Sequence, residues 1–275
     1  LDVVLPFVDK VFHVGNRNVN EITDRENYLK EQSTEIEDTC STFSGTLPAF
    51  SLADVAFAVK ERDILNGVTF DILKGSRTVL LGENGCGKTT LLRLISRLEK
   101  PTRGVILQNI DDKFGQKSKQ SKKWYKKVGV VYQNPDYQLF MQTVEKEIKF
   151  GAKSDEYADE IAEKFGIKHL YARHPQSLSE GQKRRVSIAA VVATDPEVLI
   201  LDEPTVGQDY KGLCEMVEVL NKLHEEAHNT MITVTHDKRC AAALCDKSVW
   251  IKNGKTYKTG GKELVDEFFI QIGVN

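Results

Sequence analysis

The chain alternates between short apolar runs and stretches in which apolar residues return every three to four positions. DVAFAV (54–59), VTFDIL (68–73) and TVLLG (78–82) are predicted strands. From Thr89 the spacing turns helical and puts Leu91, Leu92, Ile95 and Leu98 on a common side. VGVVYQ (128–133) is a further strand, TVEKEIKF and SDEYADEIAEKFG are short helices, and SEGQKRRVSIAAVVA is a longer one. VLILD (198–202) is apolar at consecutive positions, as a strand buried on both faces of a parallel sheet requires. Leu213, Val217, Leu220 and Leu223 give the next helix an apolar stripe, and TMITVTH follows as a strand. KSVWIKNGKTYKTG reads as a hairpin turned at Asn253-Gly254. Strands alternating with helices predict an α/β fold with a parallel sheet covered on both faces.

The polar segments set the boundaries. Residues 18–48 are acidic (Glu21, Asp24, Glu26, Glu31, Glu35, Glu37, Asp38) and end in STFSGTLP. They predict a linker with a short helix around Asn27 to Gln32. Residues 113–127 carry seven Lys and no acid, the pattern of a solvated loop or helix face. The net charge of -2 gives no bulk electrostatic case for nucleic-acid binding, and no nucleic-acid partner is expected. No apolar run approaches the roughly 20 residues of a membrane-spanning helix. LDVVLPFVDKVF has neither the basic region nor the cleavage pattern of a signal peptide, and the initial Leu suggests a fragment or processed product. Cys40, Cys86, Cys214, Cys240 and Cys245 lack metal-site spacing and suit a reducing compartment.

Residues 82–89, GENGCGKT, fit G-x-x-x-x-G-K-[ST] between an apolar strand and an amphipathic helix. Gly82, Gly85 and Gly87 allow backbone angles closed to other residues, so successive N–H groups from Glu83, Asn84 and Cys86 onward can converge on an anion. The helix N-terminus at Thr89 and Thr90 adds its positive end. Lys88 supplies a cation for the β- and γ-phosphates of a nucleotide, and the Thr89 hydroxyl is a Mg²⁺ ligand. A glycine-rich turn that binds nothing has no need of the Lys-Thr pair. Cys86, beside Lys88 and a helix N-terminus, is expected to favour the thiolate.

VLILDEP ends a buried strand on Asp202-Glu203, in the crevice where such sheets bind ligands. Two carboxylates beside phosphates would repel them without a cation, so Mg²⁺ is implied, with Asp202 reaching it and Glu203 accepting the proton of an attacking water. Taken without the phosphate loop, the pair reads equally well as solvated strand-end acids.

SLSEGQKRR (177–185), between the phosphate loop and the acidic strand, resembles the signature of ABC ATPases, usually LSGGQ. Gln133 in VVYQNP looks like the family's Q-loop glutamine and a further Mg²⁺ ligand, Asp209 in TVGQD like its D-loop aspartate, and His236 in TVTHD like its switch histidine. The resemblance spans about residues 49–270. It implies a P-loop NTPase (RecA-like) core, an antiparallel β subdomain over residues 50–75 and a helical subdomain over about 134–185. It also implies ATP and Mg²⁺ as cofactors, with Glu203, His236 and Gln133 catalytic. Two such domains would close head to tail, and Ser179, Glu180, Gly181 and Gln182 of one would act on ATP held by the other. The expected partners are therefore a second ABC ATPase domain and integral membrane transporter subunits, with the chain peripheral on the cytoplasmic face. QNPDYQLF (133–140), TVEKEIKFG (143–151) and EPTVGQD (203–209) look like the energy-coupling-factor and cobalt-type importers, which take up vitamins or transition-metal ions. A soluble ABC ATPase acting on nucleic acid or the translation machinery is the alternative, hinted at only by the Lys-rich stretch. A domain that closes on ATP without hydrolysis is disfavoured by Glu203 and His236.

Some positions depart from the family pattern. Glu180 replaces a signature glycine, with its side chain expected to point away from nucleotide. Val59 stands where relatives place an aromatic that stacks on adenine, with Phe57 on the same strand face, and Gln208 replaces a leucine. The segment 151–178 is short for the helical subdomain. Finally, residues 1–16 lie without gaps on residues 238–253, matching Asp9-Lys10 to Asp246-Lys247 and Asn16 to Asn253. Residues 1–17 are accordingly expected to be the end of a preceding ABC domain, 18–48 a linker, and 49–275 the second ABC domain of a tandem ATPase.

Overall fold

The structure, a computed structural model, describes residues 12–15, 18–23, 45–60, 62–110 and 122–273. Its first elements are a two-stranded antiparallel pair, β1 (Phe12–Gly15) and β2 (Asn18–Glu21). The linker expected from residue 18 therefore opens with a strand, paired to one in the segment expected to end the preceding domain. The helix expected around Asn27 to Gln32 and most of the Lys-rich stretch lie outside the described residues.

The antiparallel subdomain follows. β3 (Pro48–Val59) pairs on one side with β4 (Arg62–Leu73) and on the other with β6 (Arg103–Gln108). The third strand, RGVILQ, extends this sheet beyond the expected 50–75. It escaped notice because its inward face is only half-buried and no alternation marks it.

The core sheet has the order β11-β10-β5-β9-β8-β7. β5 (Arg77–Leu81), β7 (Val128–Val131), β8 (Val198–Asp202), β9 (Thr230–Val234) and β10 (Lys247–Lys252) run parallel, and β11 (Lys255–Gly260) closes the edge antiparallel to β10. The β10–β11 turn is as predicted, with φ of 50° at Asn253 and 70° at Gly254. Every residue of β5, β8 and β9 is buried, and alternate side chains enter different cores. Val198 and Ile200 pack with α1 (Lys88–Ile95) and the antiparallel subdomain. Leu199 and Leu201 pack with the helices of the other face. Each such side chain contributes about 1.5–3 kcal/mol, which is why the run tolerates no polar residue until Asp202.

α1 ends at Ile95, so Leu98 lies beyond it and is exposed, contrary to the expected stripe. Leu94 is buried in its place, because the short helix is sandwiched rather than half-solvated. α2 (Lys122–Lys127) precedes β7. The helical subdomain holds α3 (Val144–Lys149), α4 (Asp155–Lys164) and α5 (Glu180–Val192), with only single 3-10 turns between α4 and α5. α6 (Tyr210–Ala227) buries Leu213, Val217, Leu220 and Leu223 as its stripe predicts. α7 (Lys238–Ala243) and α8 (Lys262–Gln271) cover the β5–β10 edge. Among the described residues, no helix is long and apolar enough to cross a membrane.

Candidate nucleotide site

The loops leaving the carboxyl ends of β5, β7, β8 and β9 converge on one cleft. Asn84, Gly85, Gly87, Lys88, Thr89, Thr90, Gln133, Asp202, Glu203 and His236 all line it. The phosphate loop folds as its glycines require. Gly82, Gly85 and Gly87 have φ of 154°, 79° and 105°. A Cβ on Gly82 would meet Ile251 O and Cys86 Sγ, each at 2.5 Å, so that position has room for no other residue. Lys88 is only 7% exposed, and its Nζ donates to Gly82 O at 2.6 Å and Glu83 O at 3.0 Å. Its charge is thus buried in the loop rather than free in solvent.

Across the cleft, Asp202 and Glu203 are 6% and 4% exposed. Burial raises the Asp202 carboxyl, opposed by a hydrogen bond with the Thr89 side chain and by the charges of Lys88 and Arg184. Burial also raises Glu203, to about 7, opposed first by the His236 backbone N–H. That N–H donates to Glu203 Oε2 at 3.2 Å, while His236 Nε2 lies 3.4 Å from Oε1. Glu203 takes φ of 54° and donates its own N–H to Val234 O at 2.9 Å, a tight turn that turns its side chain into the cleft. Burial and then the Lys88 charge lower the His236 imidazole, favouring its neutral form. A carboxyl near 7 beside a neutral imidazole is the environment of a proton acceptor at neutral pH.

The family model described as "ABC transporter" matches residues 65–206, from the strand under the phosphate loop to just past Glu203. The chain belongs to the ABC transporter family. It is an ATP-binding ATPase domain with the P-loop NTPase fold. It is 40% identical over 221 residues to the energy-coupling factor transporter ATP-binding protein EcfA2 of Enterococcus faecalis, covering 74% of each chain. Against the EcfA2 of Bacillus subtilis the figures are 40% over 210 residues, 73% of this chain and 76% of that one. Among solved structures it resembles cbiO1 from Clostridium perfringens, part of the ABC transporter complex cbiONQ, with a TM-score of 0.71 and 32% identity over 81% of this chain and 92% of that one. It also resembles a dimeric ATP-binding cassette, MJ0796, in a post-hydrolysis state with ADP and phosphate, with a TM-score of 0.68 and 26% identity over 78% and 98% of the two chains.

The residues expected to form the signature sit apart from the cleft: Ser179, Glu180, Gly181 and Gln182 do not line it, nor does Asp209. They open helices instead. Ser179 Oγ accepts from Gln182 N at 3.3 Å and Gln182 Oε1 accepts from Ser179 N at 3.1 Å, a capping box at the start of α5. Asp209 Oδ1 caps α6 through Gly212 N at 2.7 Å. Glu180 pairs with Lys183 at 3.2 Å, and Lys183 also holds Asp136 at 2.9 Å, so the acid is tied back toward its own Q-loop segment. Gln208 Nε2 donates to Gly181 O at 2.8 Å and fastens the segment before α6 to the start of α5.

Cys86 corrects the expectation of a thiolate. Burial raises its thiol and outweighs the neighbouring Lys88 charge. Its sulfur lies beside Gly82 and 4.0 Å from Lys88 Nζ, and the residue packs against the apolar core. The residue that sequence reasoning missed is Arg184. It is buried, donates to Tyr132 O at 2.7 Å and to Gln133 O, and its charge acts on both Asp202 and Glu203. The only trace of it in the sequence is the basic run after the signature, which also fits a solvated helix face.

Proposed function

We propose that this ABC domain is the ATP-hydrolysing subunit of an importer of the energy-coupling-factor or cobalt type, carrying a vitamin or a transition-metal ion. The observation that carries the reading is the meeting of Lys88, Asp202, Glu203, His236 and Gln133 in one cleft, with the signature turned outward on the same chain. In it, the loop N–H groups and Lys88 hold the β- and γ-phosphates, Glu203 takes the proton of the attacking water, and His236 orients the Glu203 carboxylate. Arg184 fixes the Gln133 backbone and offsets the charge of the two acids.

The residues present fit Mg²⁺. Thr89 and Asp202 offer hard oxygen donors, with Gln133 beside them, and the two buried carboxylates sit where burial opposes their ionisation. Among the described residues no group of three His, Cys, Asp or Glu gathers for a metal. The ion's other oxygens then come from phosphate and water, the usual Mg²⁺ arrangement. Bound there, Mg²⁺ neutralises the phosphate charge. Hydrolysis assayed with Mg²⁺ and with excess chelator tests this, and turnover that persists without divalent cation rejects it.

The outward signature supports a second ABC domain as partner. A groove lined by Leu139, Phe140 and Phe150 supports membrane subunits as the other partner and a peripheral, cytoplasmic position. Phe140 is 66% exposed and its ring stands 5.4 Å from that of Phe150, edge to face. Co-purification with integral membrane proteins is expected, and recovery only with nucleic acid or ribosomes would favour the soluble alternative.

The tandem reading has its own support. Val14 pairs with Val19 and Gly15 with Asn18, and the matching residues of the second hairpin pair identically, Ile251 with Thr256 and Lys252 with Lys255. Sizing of Glu203→Gln with ATP tests it. A tight ATP-dependent homodimer of this variant, together with full turnover by the unaltered chain alone, would mean that residues 1–48 are only an extension.

A further inference from the structure

The cleft does not end at the phosphate loop. Past Asn84 and Gly85 it opens into a second compartment bounded by Asn66 and by the Asn253-Gly254 turn. Four residues line both compartments: Arg62, Ile64, Asn84 and Gly85. A triphosphate held by Lys88 and the loop N–H groups therefore leads its ribose and base toward these four.

The strand that Arg62 begins is closely seated. β4 is seated on the phosphate loop, since a Cβ on Gly87 would meet Leu65 Cδ2 at 2.5 Å and Ile64 O at 3.2 Å. It is seated equally closely on the β10–β11 turn, where a Cβ on Gly254 would meet Ile64 O at 2.5 Å and Asn66 N donates to Gly254 O at 2.7 Å. Arg62 begins this strand and pairs across the ribbon with Val59. Val59 is 48% exposed and lines neither compartment, and Phe57 is turned into the core. Among the described residues, no Phe, Tyr or Trp lines the phosphate cleft, and the one in the adjoining compartment, Trp250, is buried beneath it.

Among the described residues the exposed Arg62 guanidinium has no ion-pair or hydrogen-bond partner. A guanidinium is planar, delocalised and weakly hydrated, so it stacks on a π-face as an aromatic ring does. We propose that Arg62 is the base-holding residue of this chain, lying flat on the purine of ATP in place of an aromatic at Val59. The inference rests on ATP binding in the cleft and adds to it the group that holds the base.

The test separates base from phosphate. ATP and inorganic tripolyphosphate, which has no base, are titrated by calorimetry into the full chain, Arg62→Ala, Arg62→Lys and the double variant Val59→Tyr/Arg62→Ala. Arg62→Ala is expected to weaken ATP about 2- to 30-fold, the range of a cation over an aromatic face, and tripolyphosphate by less than 2-fold. Arg62→Lys keeps the charge but loses the plane and should weaken ATP nearly as much. The double variant should recover ATP binding, since a tyrosine ring supplies the stack again. Equal weakening of ATP and tripolyphosphate in Arg62→Ala would make Arg62 a phosphate cation and overturn the proposal, as would unchanged ATP binding. Failure of both ligands to bind the unaltered chain would count against the phosphate site itself, a distinct outcome.

Discussion

Two helix starts in this protein make opposite uses of the same feature. At α1 the chain leaves the first turn's N–H groups to a glycine loop and buries Lys88 among them. That loop has no side-chain cap of its own, so its donors remain available to an anion. At α5 the sequence S-E-G-Q closes the helix start with its own capping box, in solvent. The first start is built around a charge. The second is stable without ligand and displays a finished surface. One chain thus carries a candidate phosphate site with open donors and an expected signature segment that satisfies itself, as the proposed composite site between two domains would need from each half.

The largest expected effect probes the phosphate half. Glu203→Gln should lower turnover by about 10²–10⁴-fold with ATP affinity nearly unchanged, measured by steady-state hydrolysis and equilibrium binding. Near-normal turnover in the folded variant would remove Glu203 as the proton acceptor. Next, Lys88→Ala should weaken ATP by about 30-fold or more, the effect of 2 kcal/mol or more when one partner of a buried charge pair is removed. Tight ATP binding by this variant would undo the assignment of residues 82–89.

Ser179→Ala addresses the other half. Losing the α5 cap costs about 1 kcal/mol, so Tm should fall by about 2–4 °C. Turnover should drop while the ATP affinity of the single chain stays the same. If ATP affinity instead falls as far as in Lys88→Ala, the two helix starts serve one cleft and the contrast fails. The smallest effect is a refinement of the phosphate loop. Cys86 stays protonated at neutral pH because burial raises its thiol. Its alkylation rate should keep rising beyond about pH 8.5, the ordinary cysteine value. A plateau at neutral pH would restore the thiolate.

Sequence periodicity located β5, β8, β9, the hairpin and α6 because burial on both faces, or on one stripe, leaves a direct mark in the order of residues. It missed β6 and α7, which are short and owe their form to the elements they cover, and α8 (ten residues), which packs on the β5–β10 edge. It also extended α1 one turn too far, to Leu98, since spacing alone does not reveal the turn at Arg97, where φ is 59°.

The candidate site divides in the same way. Residues 82–89 and Asp202-Glu203 were legible as candidates because phosphate and proton chemistry demand particular side chains next to strand ends, and local sequence fixes both, whereas Gln133 and His236 were expected only from the resemblance to ABC ATPases. What only the tertiary structure decided is how the site is tuned and bounded. The Arg184 clamp on the Gln133 backbone, the burial that lifts Glu203 to about 7 and silences Cys86, and the seating of Arg62 beside the loop all depend on contacts distant in sequence. Burial and distance are properties of packing, and no residue carries them until the sheet, the helices and the antiparallel subdomain have come together.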